Sequence, residues 1–142
     1  MEKKQPFGFT LLELVVVATL MALLTTVILA TAHNARMKTR DTRRVAIVTQ
    51  LQSALVTYYR DTGSYPLTSN VVPGQALASN DIVYLKEVPH NPQPWTDGDC
   101  ADENFSYSQD NGGISYHFNF CLGLGSGDLP VGDNIMTPVG FY

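Results

Sequence analysis

Basic side chains almost vanish from the second half of this 142-residue chain: residues 61–142 carry one Lys against ten Asp or Glu, whereas residues 1–60 carry eight Lys or Arg against three acids. A net charge of −4 therefore hides halves of +5 and −9. Nucleic-acid surfaces need Lys and Arg for phosphate, so the acidic half gives no support for direct nucleic-acid binding. Metal-ligating residues are also sparse. His33, His90 and His117 are scattered, and Cys100 and Cys121 form no C-x-x-C pair, which disfavours zinc. Nor is there a catalytic signature. Gly123-Leu124-Gly125-Ser126-Gly127 lacks both the G-x-S-x-G nucleophile pattern and the Lys and Ser/Thr of a phosphate loop. Ser115 and His117, two apart on an alternating segment, read as a solvent-facing pair. The chain is not expected to be an enzyme.

Charge is missing as well from the run Phe9 to Ala32, except at Glu13. As helix this run is about 36 Å long, enough to cross a bilayer. An ionisable group at the centre of a bilayer costs roughly 2.5 to 3.5 kcal/mol on insertion scales, so Glu13 is functional by default and needs a cation. A cut after Gly8 would supply one: the new α-amino group of Phe9 would lie four residues from Glu13, the spacing that brings groups together on a helix.

The stretch Lys3-Lys4-Gln5-Pro6-Phe7-Gly8-Phe9-Thr10-Leu11-Leu12-Glu13-Leu14-Val15 closely resembles the class III signal of the type IV pilin and pseudopilin superfamily. The resemblance implies that a prepilin peptidase cuts between Gly8 and Phe9 and N-methylates Phe9. It implies that Glu13 guides the subunit into a filament. It further implies a single-pass protein of the bacterial inner membrane with an external head. The partners would be copies of itself through the N-terminal helix, membrane lipid, the inner-membrane assembly platform and minor pilins or pseudopilins. A rival reading is an ordinary secretory signal cut after Ala30-Thr31-Ala32, releasing a chain that starts at His33. The apolar run exceeds the typical 7 to 15 residue signal core, and Glu13 would be an unexplained cost there.

Arg36, Lys38, Arg40, Arg43 and Arg44, with Asp41, follow the span and read as a solvated rim of the bilayer or a site for anionic lipid or an acidic neighbour. They outnumber Lys3 and Lys4 and, on the positive-inside tendency, oppose an external head. Long domains translocate regardless of charge, and the resemblance implies an external one.

From His33 to Asp61 there is no Pro or Gly, and Val45, Val48, Leu51, Leu55 and Tyr58 recur at helical steps. Arg40, Thr49, Gln50, Ser53, Thr57 and Arg60 fill the other side, and Gly63 is a C-terminal cap candidate. The expected organisation is a leader over 1–8, a membrane or filament-core helix over 9–32, an amphipathic helix over 33–61 and a head over 62–142. Phe105 to Tyr107 and Ile114 to Phe120 are predicted strands around Asp110-Asn111-Gly112-Gly113, with Ile114, Tyr116, Phe118 and Phe120 facing the helix stripe. The fold class is α+β, pilin-like: a long helix packed on a small antiparallel sheet. Tyr59 to Pro66 and the loop Tyr84 to Pro92 resemble segments of major pseudopilins.

Outside the cytoplasm, Cys100 and Cys121 are expected to form a disulfide. Major pseudopilins hold calcium in a C-terminal loop rich in Ser and Asp, which makes Ser126, Asp128 and Asp133 weak candidates here; their spacing matches no defined motif and favours a plain acidic loop. The expected function is a structural filament subunit: a pilin, or the major pseudopilin of a type II secretion or DNA-uptake system. The alternatives are a minor or priming subunit that binds a partner, and a secreted protein.

Overall fold

A computed structural model describes residues 8–101 and 105–142. They form two units, one ending at Ala35 and one comprising Arg36–Tyr142. Helix α1 (Leu11–Thr62) contributes to both. In the first unit the large apolar side chains from Phe9 to Ile28 are exposed.

In the second unit one face of α1 is buried, and its residues are Met37, Asp41, Arg44, Val48, Leu51, Leu55 and Tyr58. These recur at steps of four and three, so the stripe expected from Val45 onward extends two turns further back, through two charged residues. Val45 packs at the edge of this core, while Thr49, Gln50, Ser53, Thr57 and Arg60 face solvent as expected. The helix stops at Thr62. Gly63 takes φ +78°, and its N–H donates to Tyr59 O at 2.8 Å, a left-handed cap that glycine adopts without steric cost.

The main sheet has four antiparallel strands in the order β3 (Ser106–Asp110), β4 (Ser115–Leu122), β5 (Gly132–Thr137) and β6 (Gly140–Phe141). The architecture is α+β, consistent with a pilin-like fold. Tyr116, Phe118, Phe120 and Leu122 on β4 face the α1 stripe and form the core with Tyr65, Tyr107 and Met136. Tyr65 meets Tyr116 edge-on at 4.7 Å, and Phe105 meets Phe118 similarly at 5.3 Å, geometries that aromatic quadrupoles favour.

The structure corrects two expectations and adds two strands. Ile114 precedes β4 and is 72% exposed, because the 3₁₀ turn Asn111–Gly113 carries the chain past it before the alternation starts. The loop expected over Tyr84 to Pro92 begins inside a strand: Tyr84 and Leu85 end β2 (Ile82–Leu85), which pairs with β1 (Leu77–Ser79) through Asn80 and Asp81, both at positive φ. An Asn-Asp pair between short apolar runs is a two-residue hairpin signal. Strands β5 and β6 lie beyond the predicted strands, in a stretch whose Gly132-Asp133-Asn134 favours turns; buried Asn134 instead donates to Pro130 O and Gly132 O.

Candidate functional site

The start of α1 is a capped end in an open setting. The Thr10 hydroxyl accepts from Glu13 N–H at 3.3 Å, and Leu14 N–H donates to Thr10 O at 3.2 Å. Thr10 is therefore the N-cap and Glu13 the third helical residue, in the T-x-x-E pattern of a capping box. Glu13 also sits in the first turn, where the helix dipole favours an anion. Sequence reading overlooks the cap, although Thr10 three residues before Glu13 signals it. It places Phe9 within the helix, one turn before Glu13; the helix begins two residues after Phe9 instead. Gly8 and Phe9 remain accessible: a Cβ at Gly8 would meet nothing within 4 Å, and Phe9 is 80% exposed. Lys3 and Lys4 lie outside the described residues.

The polar groups beyond Glu13 are neutralised locally. Thr19, Thr25, Thr26 and Thr31 donate their hydroxyls to carbonyls three or four residues back, at 2.7 to 3.1 Å. A helix so arranged presents no unsatisfied hydroxyl to an apolar surrounding. It is the one described helix long and apolar enough to cross a membrane, which is consistent with membrane anchoring.

The basic segment after it is not a uniformly solvated rim. Arg44 and Asp41 are wholly buried. Arg44 spends its guanidinium on the protein. Nη1 lies 2.8 Å from Asp41 Oδ1 and 3.0 Å from Asp97 Oδ2; Nε donates to Asn91 Oδ1 at 3.1 Å; Nη2 donates to Pro92 O and Pro94 O at 3.1 and 2.8 Å. Asp41 accepts in addition from Gly123 N–H and Leu124 N–H, at 3.0 and 2.7 Å. Arg40 grips Asp97 with two bonds of 2.6 Å, and Lys38 donates to Gly125 O at 2.7 Å. The Arg40 hydrogen bond, and then Arg44, hold the Asp97 carboxyl below the usual range against the opposing effect of burial, and Asp97 in turn raises the Arg40 guanidinium. Arg36 and Arg43 remain exposed.

The expected disulfide is present between Cys100 and Cys121. It joins the loop carrying Asp97 to the end of β4, where Gly98 and Gly123 lie back to back: a Cβ on Gly98 would fall 2.4 Å from Gly123 O, and one on Gly123 2.7 Å from Asp97 Cβ. Closing a loop of 21 residues' separation stabilises by about 3 kcal/mol in the chain-entropy account. Replacing both cysteines with serine should therefore lower the head's thermal midpoint, followed by near-ultraviolet dichroism of the full chain in detergent. An unchanged midpoint would mean that the unfolded chain is not constrained by this bond.

The remaining candidates do not converge. Ser126 and Leu129 exchange backbone hydrogen bonds at 3.1 Å across a turn that leaves Asp128 exposed, and Asp133 lies on β5 opposite Cys121. Among the described residues no group of three or more His, Cys, Asp or Glu is placed to hold a metal ion. His117 is paired with Asp110, Nδ1 to Oδ2 at 2.8 Å, on a part-exposed surface.

Residues 3–29 match the prokaryotic N-terminal methylation motif. No curated protein and no solved structure matches the chain. The motif spans the Gly8-Phe9 junction, the Thr10 cap and Glu13, and it indicates a prepilin-type substrate of prepilin peptidase.

Proposed function

We propose that this type IV pilin- or pseudopilin-like prepilin is the structural subunit of a filament assembled at the bacterial inner membrane, either a pilus or the pseudopilus of a secretion or DNA-uptake system. Prepilin peptidase removes residues 1–8 and methylates the amine of Phe9. The observation that carries this reading is a methylation motif whose apolar stretch forms a helix with its large side chains exposed. Such a surface, of many apolar side chains, is stable only against lipid or copies of itself. Each subunit passes from the first environment to the second. The head keeps a core of its own on the second half of α1, which suits a domain carried outside the membrane while the first half packs. Its disulfide fits an oxidising compartment and so supports an external head.

Amino-terminal and intact-mass analysis of membrane-extracted protein tests the reading. Wild type should begin at N-methyl-Phe9. Gly8→Ala should accumulate as uncut precursor and give no filaments, whereas replacing Ala30 and Ala32 with Leu should leave processing intact. A mature wild-type chain beginning at His33 would overturn the assignment.

A further inference from the structure

The head carries a groove of about 390 Å³, within the range of small-ligand sites, lined by Pro73, His90, Asn91, Gln93, Trp95 and Phe105. Trp95 is the only tryptophan of the chain, yet it lies outside the core cluster, half-buried on a loop. Its ring is held by a bond from Nε1–H to Asn91 O at 3.3 Å. The loop is fixed from beneath, because buried Arg44 binds Asn91 Oδ1, Pro92 O and Pro94 O. A large aromatic ring on a rigid support outside the core is a preorganised binding element.

The hydrogen-bonding inventory narrows the ligand. The carbonyls of Asn91, Pro92 and Pro94 are already occupied, and Pro92 and Pro94 have no N–H, so this stretch offers an extended peptide few backbone partners. Beneath the groove the apolar recess lined by Leu51, Val71 and Val88 has room for only about 10 Å³, too little for an anchoring side chain. What remains is side-chain chemistry. The Asn91 carbonyl is spent on Arg44, which leaves its amide N–H groups as donors; Gln93 and His90 are exposed. Past His90 the surface continues to Arg43 and Glu87, one charge of each sign, so the described lining selects no net charge. A flat aromatic surface ringed by amide and imidazole groups complements a ring that is apolar on one face and hydroxylated at its edge.

We propose that this groove binds a neutral saccharide, with a sugar face stacked on Trp95 and its hydroxyls on Asn91, Gln93 and His90. The full chain, in a detergent without a sugar headgroup, is applied to an array of neutral oligosaccharides, sialylated counterparts and immobilised unstructured peptides. The neutral glycan retained best is then titrated against Trp95 fluorescence. Saturable binding is expected. Trp95→Ala should weaken array retention by about tenfold or more, and Trp95→Phe should keep most of it. Gln93→Ala should weaken it less. An intact Cys100–Cys121 bond and an unchanged thermal midpoint confirm folding of each variant. Retention of no glycan, preference for sialylated glycans, glycan retention unaffected by Trp95→Ala, or Trp95-dependent retention of peptides alone would each overturn the proposal.

Discussion

Arg44→Ala should destabilise the head by about 3 to 5 kcal/mol, a large share of the stability of a domain this size. The substitution leaves Asp41 wholly buried without its cation and removes the donors from Asn91 Oδ1, Pro92 O and Pro94 O together. Asp97 keeps Arg40, so the loss falls mainly on Asp41 and the carbonyls of the 91–94 loop. Denaturant unfolding followed by aromatic dichroism measures it, and a loss below about 1 kcal/mol would mean that water reaches the cluster and screens it. The same cluster sets the acid limit. Because Arg40 and Arg44 lower the folded-state value of Asp97, its stabilisation is fully present above about pH 4, the unfolded aspartate range, and is lost as pH falls from there through the lower folded value. Wild type should therefore resist mild acid, and Asp97→Asn should flatten that acid dependence while lowering stability at neutral pH.

Arg44 also marks where sequence reading loses its hold. The stripe Val48, Leu51, Leu55, Tyr58 is legible because apolar spacing is a local signal. Carrying the same steps backward lands on Arg44, Asp41 and Met37, yet charge on a helix face ordinarily signals solvent. The groups that make burial tolerable, Asp97, Asn91 and the Pro92 and Pro94 carbonyls, lie some fifty residues away in a loop with no periodicity. No local pattern encodes such a pairing. Strand β4 is legible from its alternation, whereas β5 hides behind Gly, Asp and Asn, whose turn preference is overridden by pairing with β4. The Gly8-Phe9 junction is the most legible part, because the motif that spans it is a linear pattern of neighbouring residues. Its cap is present in the same letters, but attention to Glu13 as a charge obscures Glu13 as part of a helix start.

Glu13→Val should be inserted and cut like wild type, since both steps need only the leader and the apolar run, yet filament number should fall by at least about tenfold. In the proposed filament the carboxylate meets the methylated Phe9 ammonium, first within its own chain and then on a neighbour. Within the chain the cap makes this feasible even though Phe9 lies outside the helix: in a capping box the third-residue carboxylate reaches back toward the N–H of the cap, here Thr10, the residue bonded to Phe9. Assembly then exchanges one partner for another. A subunit docked out of register leaves both charges unpaired among apolar side chains, at a cost of several kcal/mol, so the pair acts as a check on register more than as net attraction. Capping alone offers a competing account, and Glu13→Gln separates the two. Glutamine serves a capping box as well as glutamate does but carries no charge. If register checking is the role, Glu13→Gln should assemble nearly as poorly as Glu13→Val, and coexpression with wild type should place defects where a substituted subunit supplies an ammonium without a carboxylate. Normal filaments from Glu13→Gln would assign the residue to the cap, and normal filaments from Glu13→Val would remove it from assembly altogether.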